Sequence, residues 1–211
     1  MLLSGGIDSA TCLFLMKATN SVRALTFEYH GIAQKELQSA REIGAAAVVA
    51  EHRFVRLPDL KEASDIPVVK FGGLPPTYIP LRNSIFYSLA ASYAEEVGAG
   101  LIVGGHNRDD SKVFRDVSPE FFAALQRAFW AGSAVLRRKK TRIVRPLRNR
   151  SKVQVVRLAA SLKVPLELTW SCHRDGREHC WRCDGCLSRQ ASFTKAGVRD
   201  PLAPPGGGKI T

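Results

Sequence analysis

A chain of 211 residues is the size of one domain, since domains run near 150 residues, and it can bury one sizeable core. Apolar residues make up 45% of it and charged residues 24%, which excludes wholesale disorder. No stretch without a polar side chain, Ile43 to Ala50 among them, is nearly long enough to span a bilayer.

Thirty-one basic residues against nineteen acidic ones give a formal charge of +12. The 46 residues between Glu120 and Glu167 hold twelve bases and no carboxylate, so the whole excess sits in one segment. Such a block suits phosphate, nucleic acid or an anionic small substrate. A solvated basic surface is the plain alternative. The N-terminal run Met-Leu-Leu-Ser-Gly-Gly has neither a basic stretch nor a long apolar one, so a cytoplasmic protein with no membrane partner is the expectation.

In chain order, Leu2-Leu3 reads as the stub of a strand, Ser9 to Thr19 as a helix and Val22 to Tyr29 as a strand. Lys35 to Gly44 reads as a helix, and Ala46 to Val55 contains a further strand. Pro58 to Pro80 holds five of the eleven prolines and reads as a loop. Ile85 to Val97 is a predicted helix and Leu101 to Gly105 a strand ending in glycines. Ser118 as N-cap with Pro119 behind it starts a helix to about Gly132. Thr141 to Val144 reads as a strand, and Ser151 opens a helix to about Leu162. Asp200 to Thr211, rich in Pro and Gly, reads as a frayed tail. Strands alternating with helices predict an α/β fold, a doubly wound parallel sheet with helices on both faces. The expected division is an α/β domain over 1–165, a small metal-bearing region over 166–197 and a flexible tail over 198–211.

Ser4-Gly5-Gly6-Ile7-Asp8-Ser9 lies between a strand and a helix. Such a turn aims backbone N–H groups and hydroxyls at one spot, where the helix N-terminus adds positive potential. The glycines permit φ > 0 and close approach of an oxyanion. Asp8 repels phosphate, so its place there suggests that it holds Mg²⁺ or the loop itself. A tight turn with Asp8 as a cap is the simpler alternative.

Four of the five cysteines follow the pattern C-x7-C-x2-C-x2-C: Cys172, Cys180, Cys183 and Cys186. Four thiolates so close in sequence can close a tetrahedral Zn²⁺ site with no open position, which makes the ion structural. His173 and His179 are rival ligands. Cys12 reads as a core residue.

The six loop residues resemble the pyrophosphate loop of the ATP-pyrophosphatase superfamily. Within it the chain is similar to the 7-cyano-7-deazaguanine synthase family over about nine tenths of its length. The likeness is carried by Leu3 to Ser9, by Ala24 to Tyr29 with Glu36, by Tyr78-Ile-Pro-Leu-Arg-Asn83, by Gly105 and Asn107, by Asp116 with Pro119 to Phe121, by Ser151-Lys152, and by Thr169 to Cys172 with the later cysteines.

The resemblance implies a doubly wound sheet with a zinc-bearing C-terminal region. It implies ATP-dependent conversion of 7-carboxy-7-deazaguanine and ammonia to the nitrile precursor of deazaguanine nucleosides in tRNA, through an adenylated intermediate, with ATP, Mg²⁺ and Zn²⁺ as cofactors. ATP contacts would fall on Leu3, Ser4, Gly5, Gly6, Ile7, Asp8, Ser9, Ala10 and Thr11. Asp8, Arg82 and Lys152 would be catalytic, Asn107 and Asp116 would bind the substrate, and a homodimer is implied. A sister ATP-pyrophosphatase modifying tRNA directly, or a relative acting on a protein or DNA, is the alternative. Arg137 to Lys140 has no interleaved aromatic residue, so the expectation there is weak, sequence-independent RNA binding that falls with salt.

Overall fold

In the computed structural model, residues 1–60 and 78–204 are described. Among the described residues, four strands and seven helices follow in the order α1 (Ile7–Met16), β1 (Arg23–Tyr29), α2 (Gln34–Ala47), β2 (Glu51–Leu57), α3 (Arg82–Glu96), β3 (Leu101–Val103), α4 (Pro119–Gly132), α5 (Ala134–Lys139), β4 (Arg142–Val144), α6 (Lys152–Ser161) and α7 (Asp184–Ala196). Short 3₁₀ turns occupy Asp110–Lys112, Arg115–Val117 and Leu166–Leu168.

β1 pairs in parallel with β2, from Arg23 opposite Glu51 to Tyr29 opposite Leu57, and β3 pairs in parallel with β4. Residues 1–3 join the two ribbons. Leu2 bridges Leu25 in the parallel sense, and its N–H donates to the Val103 carbonyl at 2.9 Å. The order is therefore β2, β1, the N-terminal segment, β3, β4, the parallel sheet expected from the alternation.

Side chains alternate across this sheet, as the period of two demands. Ala24 packs with Leu3, Leu13, Val155 and Val156, in the core beneath α1, α2 and α6. Leu25 and Phe27 pack instead with Tyr87, Ala90, Ile102 and Phe122, beneath α3 and α4. Fully buried leucines such as Leu3 and Leu13 each contribute about 2 kcal/mol of transfer free energy.

Helix starts follow the sequence signals. The Ser118 hydroxyl accepts from the Phe121 N–H at 3.1 Å, with Pro119 in the first turn. Ser151 and Gln154 form a reciprocal capping box on α6. α2 outruns its predicted end by three residues and stops where Val48 turns left-handed at φ 54°, so β2 begins only at Glu51. α3 starts at Arg82 rather than Ile85, which moves Arg82 and Asn83 from a loop end into the first helical turn. Two helices were not expected. α5 follows at once on α4, started by the Ser133 cap, and α7 rises from the cysteine segment.

The predicted proline-rich loop lies largely outside the described residues, as do the last seven positions of the predicted tail. Asp200 does not belong to a frayed end. It is buried, and its carboxylate pairs with Arg189 through two bonds of 2.7 and 2.8 Å. No helix among the described residues is long and apolar enough to cross a membrane.

Candidate functional site

A cleft of about 280 Å³ opens at the carboxyl ends of the strands, lined by Ser4, Asp8, Ser9, Tyr29, Glu36, Arg82, Asn83, Phe86, Gly105, His106 and Asp110 among others. The N-terminal segment sits between β1 and β3, with α1 and α2 on one face of the sheet and α3 on the other. This is the switch point at which open parallel sheets bind ligands.

The loop from Ser4 to Ser9 is cross-braced. The hydroxyls of Ser4 and Ser9 lie 3.1 Å apart, Ser9 Oγ accepts from the Ser4 N–H at 3.2 Å, and it donates to the Gly6 carbonyl at 3.0 Å. The ladder of α1 begins with the Ala10 N–H on the Gly6 carbonyl at 3.0 Å. The N–H groups of Ile7, Asp8 and Ser9 therefore stand outside it, available to an anion. Gly5 has φ +82°, and a Cβ there would lie 2.6 Å from the Glu36 carbonyl; a Cβ on Gly105 would lie 2.9 Å from Ser9 Cα. Both glycines are required by close backbone approach, and together they hold the loop open as a cradle. Leu3, Ile7, Ala10 and Thr11 of the same run are buried beneath it. They shape the cradle from behind, and Thr11 spends its hydroxyl on the Ile7 carbonyl.

Asp8 and Lys152, 144 residues apart in sequence, meet at the mouth of this cradle as an ion pair. The Lys152 N–H, in the first turn of α6, donates to Asp109 at 3.0 Å. Asn107 ties the group together. Its carbonyl oxygen accepts from the Asp109 and Asp110 N–H groups at 2.7 and 3.3 Å, and its amide reaches Asp8 at 3.4 Å. Asn107 is buried and is not among the residues lining the cleft, so its contact with the site runs through Asp8.

Asp110 faces the same cleft, and burial together with the nearby Asp8 charge raises its carboxyl to about 6. Two carboxylates that repel each other beside a phosphate cradle are a donor set suited to a divalent cation.

Across the cleft stands Arg82. Beside it Glu36 is half-buried, and desolvation lifts its carboxyl to about 7 against the opposing pull of Arg82. Asp116 is not among the residues lining the cleft. One of its oxygens accepts from the Asn83 backbone and side-chain amides at 3.3 and 3.0 Å, which anchors the start of α3 and with it Arg82. Asp109 and Asp110 were missed as site residues because acidic side chains in a loop carry no periodic signal. Glu36 was visible only through the family likeness.

The four cysteines converge as the spacing predicts, with all four sulfurs within 4.8 Å of one another. Cys180 and Cys186 Sγ are 3.8 Å apart and Cys183 and Cys172 Sγ 3.9 Å. Four thiolates at about 2.3 Å from one ion span tetrahedral edges of about 3.8 Å. The distances thus fit a single tetrahedral ion and are far too long for disulfides. Backbone N–H groups of Arg182 and Cys183 pull the Cys180 thiol down to about 6, whereas burial pushes Cys172 and Cys186 up. His179 lies beside the cluster. Its Nε2 accepts from the Ser171 N–H at 3.0 Å and its ring packs between Trp170 and Trp181. Cys12 is fully buried, and desolvation pushes its thiol up to about 12, which makes it an inert core residue.

The segment that leads into the cysteine cluster touches the cradle directly, since the Trp170 N–H donates to the Gly5 carbonyl at 3.0 Å.

Comparison with known proteins bears on this arrangement. The chain is 37% identical to a 7-cyano-7-deazaguanine synthase of Acetivibrio thermocellus, covering 96% of this chain and 95% of that protein. It is 38% identical to the enzyme of the same name from Stutzerimonas stutzeri, covering 95% of each, and 35% identical to that of Thermoplasma acidophilum, covering 96% and 90%. Among solved structures, an NMN synthetase from Francisella tularensis superposes with a TM-score of 0.55 at 18% identity, over 94% of this chain and 76% of that one. The U34-tRNA thiolase NcsA of Methanococcus maripaludis superposes at 0.51 with 15% identity, over 93% and 63%. These two likenesses confirm the α/β fold. The family model described as queuosine biosynthesis protein QueC matches residues 1–197, and the chain belongs to that family of enzymes.

Proposed function

We propose that this protein makes 7-cyano-7-deazaguanine from 7-carboxy-7-deazaguanine, ammonia and ATP. The reading is carried by the braced cradle at the switch point, faced by Asp8, Lys152 and Arg82, in a chain similar throughout to synthases of that name. A carboxylate oxygen of the acid attacks the α-phosphorus of ATP, and pyrophosphate leaves. Ammonia displaces AMP to give an amide. Adenylation of the amide oxygen and loss of AMP with two protons leaves the nitrile.

The first-turn N–H groups of α1 with Ser4 and Ser9 hold the phosphates, and Lys152 and Arg82 offset charge that develops on them. Asp8 and Asp110 would hold Mg²⁺, which when bound neutralises phosphate charge. Glu36 is placed and tuned to take a proton from the incoming ammonium-derived nitrogen near neutral pH. Asp116 acts on the substrate indirectly, by fixing Asn83 and with it the start of α3 that carries Arg82. The protein works as a cytoplasmic homodimer.

The four-cysteine tetrahedron would hold Zn²⁺ as a structural ion that stiffens the segment behind Gly5. Cys183→Ser is expected to lower zinc content below one per chain and the melting temperature together, read by elemental analysis and calorimetry. A metal-free preparation with unchanged stability would remove the zinc assignment.

The deciding experiment for the reaction is mass spectrometry of protein mixed with Mg·ATP, ammonium and the deazaguanine acid. The expected product has the mass of acid plus ammonia less two waters, with AMP and pyrophosphate alongside. Product that forms only when tRNA is added would replace this reading with the tRNA-ligase alternative. The core burial of Cys12 argues against thiolation, because no spare thiol reaches the cleft among the described residues.

A further inference from the structure

We propose that a basic cleft at the amino ends of β3 and β4 is a docking site for single-stranded RNA, distinct from the ATP cleft. The cleft has a volume of about 630 Å³ and is lined by Gly100, Trp130, Arg137, Lys139, Lys140 and Arg142. None of these residues lines the cleft at the opposite, carboxyl end of the sheet.

Local structure explains how four cations reach one place. Arg137 and Lys139 occupy the last turn of α5. Lys140 caps it in the left-handed region at φ 56° and reverses the chain. Arg142 then starts β4, its N–H on the Gly100 carbonyl at 3.1 Å. All four are exposed, and none forms an ion pair among the described residues. Trp130 comes from α4, and its indole N–H is spent on the Thr141 carbonyl at 2.8 Å. What remains to a ligand is the ring.

Two ordinary roles account for part of this. Bases in a last helical turn complement the helix dipole, and charges beside an edge strand discourage further strand pairing. One or two cations would serve both purposes, and neither needs an aromatic ring in the same cleft. A small dianion occupies two cations and leaves two. A polyanion whose phosphates meet the bases while a base stacks on Trp130 uses the whole set. A duplex hides its base faces, which favours a single strand. A half-buried ring flanked by charge is a poor insert for a lipid surface. In sequence this cleft had no aromatic member, because Trp130 lies seven residues before Arg137 and on a different helix.

The test is fluorescence anisotropy of a labelled oligouridine with the full-length protein, together with tryptophan emission. Binding is expected to fall with salt at a logarithmic slope of about −3, near −0.7 for each of four neutralised phosphates. Arg137→Glu with Lys140→Glu, both at exposed positions, should weaken it by at least about tenfold, while turnover of the free acid stays within about twofold. Emission should be quenched on binding, and Trp130→Phe should abolish the quenching but not the salt slope. Unchanged binding by the charge-reversed variant overturns the proposal. So does displacement of the RNA by saturating Mg·ATP, equal affinity for duplex without quenching, or tighter binding to phosphatidylserine vesicles. Failure of the nitrile-forming reaction leaves this assay unaffected, because it does not depend on turnover.

Discussion

Asp8 answers to three neighbours at once: the Lys152 ammonium, the Asn107 amide and the repelling charge of Asp110. Removing it leaves Lys152 without its partner and the cradle without its principal carboxylate. Asp8→Ala is expected to cut turnover at least about a hundredfold with an unchanged circular dichroism spectrum. Turnover near the native rate would take the loop out of the chemistry. His106, on the cleft wall, carries a different prediction. Burial, then the Arg145 and Arg82 charges, hold its pKa down from 6.5 to about 4. A depressed folded-state pKa means that the neutral ring stabilises the fold above pH 6.5, and that this stability is lost as pH falls towards 4. Each pH unit is worth about 1.4 kcal/mol, and partial exposure leaves on the order of 2 kcal/mol in total. Glu36 and Asp110, both raised, act in the opposite sense, gaining stability as pH falls. The informative quantity is therefore a difference. Urea denaturation of His106→Gln should show a shallower acid loss than the native chain between pH 6.5 and 4, and parallel curves would refute it. Asp8 and Lys152 were legible as candidates from short motifs. That they form one ion pair was not, because nothing in either motif specifies a partner 144 residues away.

Among the elements, α7 does more than follow the cysteines. Arg189 is buried at 1% exposure and forks onto Asp200 through Nε and Nη2, while Nη2 also donates to the Leu166 carbonyl and Nη1 to the Thr169 carbonyl and hydroxyl. It thereby pins the strap from 166 to 172, which supports Gly5 through Trp170. Arg189→Met strands the Asp200 carboxylate in the interior. The expected loss is about 3 kcal/mol in a denaturant titration, with Arg189→Lys a poor substitute because it lacks the planar fork. A change below about 1 kcal/mol would show that water reaches Asp200. α7 escaped the sequence reading because Asp-Gly-Cys at its start has weak helical preference and the cysteine spacing dominates the segment. α4 and α6 were legible because Ser118-Pro119 and Ser151 are start signals written in adjacent residues.

For the molecule as a whole, the +12 charge is concentrated rather than spread, and self-repulsion should weaken the compact state at low salt. Raising ionic strength from about 0.01 to about 0.15 M shortens the screening length from about 30 to about 8 Å, so the melting temperature should rise. A fall instead would mean that screened surface pairs, such as Arg53 with Glu51 and Glu96, outweigh the repulsion. The parallel α/β sheet, the glycine-rich turn between strand and helix and the convergence of four cysteines were all determined by the sequence itself. Each rests on local periodicity or on residue types within a few positions of one another, and local spacing is what a linear chain records. The tertiary structure alone decided that residues 1–3 join two ribbons into one sheet, that Asp116 serves α3 instead of lining the cleft, and that Trp130 shares a cleft with four cations. Those outcomes depend on contacts between distant segments, fixed by how helices bury their apolar faces against the sheet, and no short stretch of sequence contains both partners.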